Sequence, residues 1–172
     1  MTLILQDDTG TVPNANAYID VAFFKAYHDA RGNDYSARTD EQIAQDIVNA
    51  TDYLDQRFTY VGQRLSGRPQ TTEWPRMDAF DRDRYSVNGI PAEVQEATAE
   101  YALRAGIAVL NPDPDRDATG AAIASKSESV GPISESVTYV SGAVFTMPKY
   151  PAADARMYRT GLIRAGGTVL RG

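Results

Sequence analysis

The residues best suited to do chemistry lie between positions 57 and 85. Six arginines (Arg57, Arg64, Arg68, Arg76, Arg82 and Arg84) alternate there with Phe58, Tyr60, Trp74, Phe80 and Tyr85, against four acids. Guanidinium groups pair with phosphates and aromatic rings stack on unpaired bases, so this composition suits a single strand of nucleic acid. Arg64, Arg68, Trp74 and Arg76 are the candidate contacts. The competing reading is a loop pinned to neighbouring helices by its own rings, with arginines bridging carboxylates. The small excess of six over four favours pinning, because affinity for a polyanion grows with the number of phosphates neutralised.

Catalytic chemistry finds little support. His28 is the single histidine, so any histidine-dependent nucleophile would need it; beside Tyr27 and Asp29 in a helical stretch it reads as structural or surface. The absence of cysteine excludes disulfides, thiolate catalysis and thiolate zinc sites. Asp113, Asp115 and Asp117 imitate the start of a calcium loop, but Ala118 and Ala124 stand where glycine and glutamate are required. Asp78, Asp81 and Asp83 could chelate a hard cation, although Arg76, Arg82 and Arg84 beside them read as local ion-pair partners. No glycine-rich phosphate loop is present. The expectation is a non-enzyme with no cofactor and no metal.

The whole chain has 172 residues, 42% of them hydrophobic, and a formal charge of −6. That length supports one modest core. The charge excludes a basic footprint for duplex DNA across the whole surface. It is also uneven: residues 1–150 carry 22 acids and 13 bases, whereas residues 151–172 carry Asp154 against Arg156, Arg159, Arg164 and Arg171. A basic tail on an acidic body suits attachment to an acidic partner. The first residues lack the basic and apolar regions of a signal peptide, and no apolar run approaches the ~18 residues of a membrane span. A soluble protein that contacts no membrane is expected.

Several elements must position these residues. Asp20 caps a helix over residues 21–31, followed by Gly32. Thr39 and Gln42 form a capping box, and Ile43, Ile47, Ala50, Leu54, Phe58 and Val61 extend one apolar stripe to Gly62. Residues 62–89 form a long irregular connection. Pro91 opens a third helix reaching about Leu110, with stripe Val94, Ala97, Tyr101, Ala105 and Ala108. A polar linker over 111–128 follows. A hairpin then turns at Ser141-Gly142 between Ile133, Val137 and Tyr139 and Val144 and Phe145, and a short helix runs from Pro151 to about Ile163. The fold class is mainly α: a three- to four-helix bundle with a long irregular loop, a small β-hairpin and an extended C-terminal arm. Residues 1–110 form the helical domain with its N-terminal lead-in; residues 111–172 form no independent domain.

Three stretches resemble a known family. They are Asn16-Ala17-Tyr18 with Ala26-Tyr27-His28 and Arg31-Gly32; Ala50-Thr51-Asp52-Tyr53-Leu54-Asp55 with Arg57-Phe58 and Trp74-Pro75-Arg76; and Asp81-Arg82-Asp83 with Ile90-Pro91, Glu96-Ala97 and Ala102-Leu103-Arg104-Ala105. A weaker echo covers Lys126-Ser127-Glu128, Val130-Gly131-Pro132-Ile133 and Tyr150-Pro151-Ala152. In this order they resemble the small head–tail connector (adaptor) proteins of long-tailed bacteriophages, a group that also carries the label DnaT-like single-stranded DNA-binding protein. The resemblance implies a virion component of the neck, made in the host cytoplasm, with about twelve copies in a ring between the portal protein and a stopper or tail-completion protein. DNA would pass through the channel without specific binding. The family's C-terminal segment reaches the portal, which assigns that contact here to Arg164, Val169, Leu170 and Arg171. Trp74, Pro75 and Arg76 would pin the long loop or serve the ring interface. The alternative function is a single-stranded DNA-binding replication accessory, acting through Arg64, Arg68, Trp74 and Arg76.

Overall fold

The computed structural model describes residues 2–113, 123–129, 134–139 and 150–164. Four helices dominate: α1 (Val21–Asp29), α2 (Asp40–Arg57), α3 (Ala92–Ala105) and α4 (Pro151–Tyr158). Between α2 and α3 lies a two-residue ladder, β1 (Gln63–Arg64) against β2 (Arg76–Met77). Between α3 and α4 lies an antiparallel pair, β3 (Ile123–Ser129) and β4 (Ser134–Tyr139).

Local sequence grammar sets the helix starts. The Asp20 carboxylate accepts the Phe23 N–H at 2.7 Å. Thr39 and Gln42 exchange bonds across the first turn of α2, completing the capping box. Ile43, Ile47, Ala50 and Leu54 of α2 are buried, as are Val94, Ala97 and Tyr101 of α3. Thr98, Ala99, Glu100 and Ala102 are buried too, so α3 is covered on nearly every side. It packs against α1, α2 and α4, and its small alanines allow the close approach.

The apolar stripe of α2 does not continue to Gly62. Phe58 is extended, with φ −110° and ψ 140°. Phe58 and Tyr60 are buried while Thr59 between them is exposed, which is a strand's period of two. This segment pairs with the chain beyond α4: Val61 N–H donates to Leu162 O at 2.9 Å and Arg164 N–H donates to Thr59 O at 2.7 Å. Gly62 follows at φ +71°, where a Cβ would sit 2.3 Å from Met77 O; only glycine fits between these strands. The third helix likewise stops at Ala105, short of Leu110, and the fourth stops at Tyr158, short of Ile163.

Two compact units result: Met1–Leu110 with Lys149–Gly172, and Asn111–Pro148. The boundary near 110 is where the sequence places it, but α4 belongs to the helical unit through its packing on α3, not to the hairpin. Within the helical unit the Tyr150 hydroxyl donates to Leu110 O at 3.1 Å, so the chain leaves and re-enters this unit at one point.

The hairpin differs from the one expected. Residues 123–129, which the sequence assigns to a linker, form a strand that pairs with residues 134–139, in register from Ile123↔Tyr139 to Ser129↔Ser134. The strand Ile-Ala-Ser-Lys-Ser-Glu-Ser lacks hydrophobic alternation, so only its backbone pairing reveals it. The expected turn at Ser141-Gly142, with Val144 and Phe145, lies outside the described residues.

Candidate functional site

Trp74 is the centre of the arginine-rich connection, and it is 0% exposed. Its ring meets Tyr60 edge to face at 5.7 Å. Its backbone N–H donates to the Tyr18 hydroxyl at 3.1 Å, and that hydroxyl donates to Asp55 Oδ1 at 2.6 Å. The other Asp55 oxygen accepts the Glu73 N–H at 2.9 Å. Gln70 ties down the same turn, its amide donating to Thr72 O and Pro75 O, both at 2.9 Å. The Trp74-Pro75 peptide bond within this turn is cis.

Around this core the arginines face inward. Arg64 and Arg76 both grip the Glu73 carboxylate. Arg76 also donates to Val61 O at 2.7 Å and Gly62 O at 3.0 Å, so one guanidinium joins the loop to the strand after α2. Arg57 donates to Asp154 at 2.8 Å, tying α2 to α4, and Asp154 also accepts the Tyr101 hydroxyl of α3. These are charge-assisted bonds between side chains that are largely out of solvent, where losing one partner is costly.

Burial and hydrogen bonding oppose each other at the acids. Burial pushes Asp55 up to about 7, against the bonds from Tyr18 and the Glu73 N–H. Burial would also raise Glu73, but the Arg64 and Arg76 guanidiniums hold it below the ordinary carboxylate value. Burial lowers His28, whose Nε2 lies 3.0 Å from Ala99 O and whose Nδ1 lies 3.0 Å from the Asn33 amide. The ring joins α1 to α3 and faces no nucleophile.

The expected local pairing in residues 76–84 is therefore corrected. Arg76 turns to Glu73 instead of Asp78, and Arg82 reaches Asp83 only at 3.9 Å on the surface. Asp81 instead accepts the Asp83 and Tyr85 N–H groups, both at 2.9 Å, and so shapes a turn. No group of three metal-ligating side chains exists among the described residues. No helix among them is long and apolar enough to cross a membrane.

Of the four candidate nucleic-acid contacts, Trp74 is enclosed, Arg64 and Arg76 are engaged, and Arg68 alone is exposed. Of the candidate portal contacts, Arg164 is exposed and pairs through its backbone with Thr59; Val169, Leu170 and Arg171 lie outside the described residues. The accessible aromatic and basic groups are elsewhere. Tyr85 is 73% exposed, Tyr158 63% and Phe80 51%, with Arg82, Arg84 and Arg159 exposed among them. The backbone joins these segments: Arg82 N–H donates to Thr160 O at 2.9 Å. The sequence contained one signal for this surface, a run of alternating Asp and Arg that cannot be buried.

A family model described as "Putative DnaT-like ssDNA binding protein" matches residues 1–170, and the chain belongs to that family. No curated protein and no solved structure matches it significantly.

Proposed function

We propose that this member of the DnaT-like family is a structural subunit of a bacteriophage neck: a head–tail connector that forms a ring between the portal and the tail-side stopper and catalyses no reaction. The observation that carries the reading is the excursion between Leu110 and Tyr150. Its ends are fastened together on a helical unit that already has its own core, and its described residues form two strands with open edges. Two strands alone are only marginally stable, so a partner chain gains ladder pairing and the hairpin gains order. The basic residues after α4 supply a second attachment, to portal carboxylates. The acidic character of residues 1–150 suits a channel wall from which passing DNA is repelled.

Single-stranded DNA binding is the second reading, favoured by the family description. The enclosure of Trp74 and the engagement of Arg64 and Arg76 weigh against the route that the sequence suggested for it. One pair of experiments separates the two. Particle reconstructions containing the chain should show ring density below the portal vertex, and oligonucleotide titrations should show weak binding that vanishes at moderate salt. Tight, salt-resistant oligonucleotide binding with no density in particles would reverse the choice.

A further inference from the structure

We infer that the ridge formed by residues 80–85 and the turn after α4 is the surface by which one copy of this chain grips the next. The inference rests on the ring reading and names the contact within it.

The ridge is built, not frayed. Phe80 bridges to Ser86, Asp81 N–H donates to Tyr85 O at 3.0 Å, and the Asp81 carboxylate closes the turn from inside. Arg84 is held at φ +68°, a conformation that a non-glycine residue keeps only when its surroundings impose it. The turn after α4 is locked beside it: Gly161 has φ +74°, and a Cβ there would lie 2.7 Å from Arg82 N. Two segments distant in sequence thus present Phe80, Arg82, Arg84, Tyr85, Tyr158 and Arg159 on a fixed frame. Among the described residues Arg84 and Arg159 pair with no carboxylate, and Arg82 has only its distant surface contact. Exposed tyrosine and unneutralised arginine are the residue types that anchor protein interfaces.

Charge selects the occupant. The remaining surface is acidic, with a formal charge of −6 for the chain, so each copy carries the counterpart of its neighbour's ridge. A nucleic-acid strand is disfavoured because Asp78, Asp81 and Asp83 alternate with the arginines and would face its phosphates. Two ridges cannot face each other across a two-fold axis either, since Arg82 and Arg84 of both copies would meet. The contact is therefore heterologous, the type that closes into rings.

The test compares the full chain with Arg82→Glu/Arg84→Glu/Tyr85→Ala, using Arg84→Ala as a milder variant and Arg68→Glu as a charge control. Sedimentation velocity should show self-association of the parent and the control, weakened about a hundredfold in the triple variant. Circular dichroism should show unchanged helix content. A parent that stays monomeric at its highest soluble concentration overturns the inference, as does a triple variant that associates like the parent. If the triple variant associates normally but no longer joins portal-containing particles, the ridge meets another protein and the neck reading survives. If it loses only tight oligonucleotide binding, both fail.

Discussion

Replacing Asp55 by asparagine isolates the most perturbed acid of the Trp74 network. Asp55 rises from 3.8 to about 7 because burial disfavours its charge more than its hydrogen bonds favour it. Below pH 3.8 the carboxyl is protonated in both the folded and the unfolded chain. Between 3.8 and about 7 the folded chain keeps a proton that the unfolded chain has released, so this group's contribution to stability falls as pH rises. Above that window the whole penalty is present. A rise of this size corresponds to roughly 4 kcal/mol, an upper bound because Asp55 is only partly withdrawn from solvent. The amide introduced by Asp55→Asn cannot titrate and still offers an oxygen to the Glu73 N–H. Urea denaturation of both proteins should follow the fluorescence of Trp74, the single tryptophan. The difference in unfolding free energy, parent minus variant, should drop by up to about 4 kcal/mol between about pH 4 and pH 8. Taking the difference cancels the opposite slopes of His28, Glu73 and Glu100, all lowered in the fold. A difference that stays constant with pH would refute the burial argument.

Three further outcomes rest on the same contacts. Trp74→Ala should cost about 3–5 kcal/mol in urea denaturation, since a fully buried ring is removed; a near-neutral result would restore the stacking role. Asp154→Asn removes the charge facing Arg57 on a side chain only 10% exposed, and should cost about 3–5 kcal/mol by the same measurement. Removing residues 165–172 keeps the backbone pairing of 162–164 with 59–61, so the melting temperature should hold while attachment to portal-containing heads is lost; normal attachment would refute the arm assignment.

The helical part of the fold was legible where the physics is local. Asp20 and Thr39 announce helix starts because capping needs only residues three apart. Helix ends were misplaced because tertiary partners decide them. Phe58 and Val61 continue the spacing of Leu54, yet residues 59–61 pair with residues 162–164, about a hundred positions away along the chain. Burial of Tyr60 shows that the strand won: on a helix that ring would leave the stripe. β3 was missed for the converse reason, its serine-rich sequence carrying no periodicity for a pairing made by backbone alone.

The arginine cluster was legible as composition and illegible as direction. A guanidinium offers the same five donors to a phosphate, a carboxylate or a pair of carbonyls. Nothing in a spacing tells whether Arg76 will meet a nucleotide or Val61 O and Gly62 O. What decides is the supply of buried acceptors, and that supply depends on Glu73 being turned inward by Asp55, which in turn depends on Tyr18, 37 positions earlier. Once Glu73 is inside, two arginines must follow it, because an unpaired buried carboxylate costs several kcal/mol. Arg82, Arg84 and Arg159 have no buried acid to satisfy and remain outside. The division between pinning and contact arginines is thus a consequence of where the acids go, and an arginine-rich stretch should be read through its acids first.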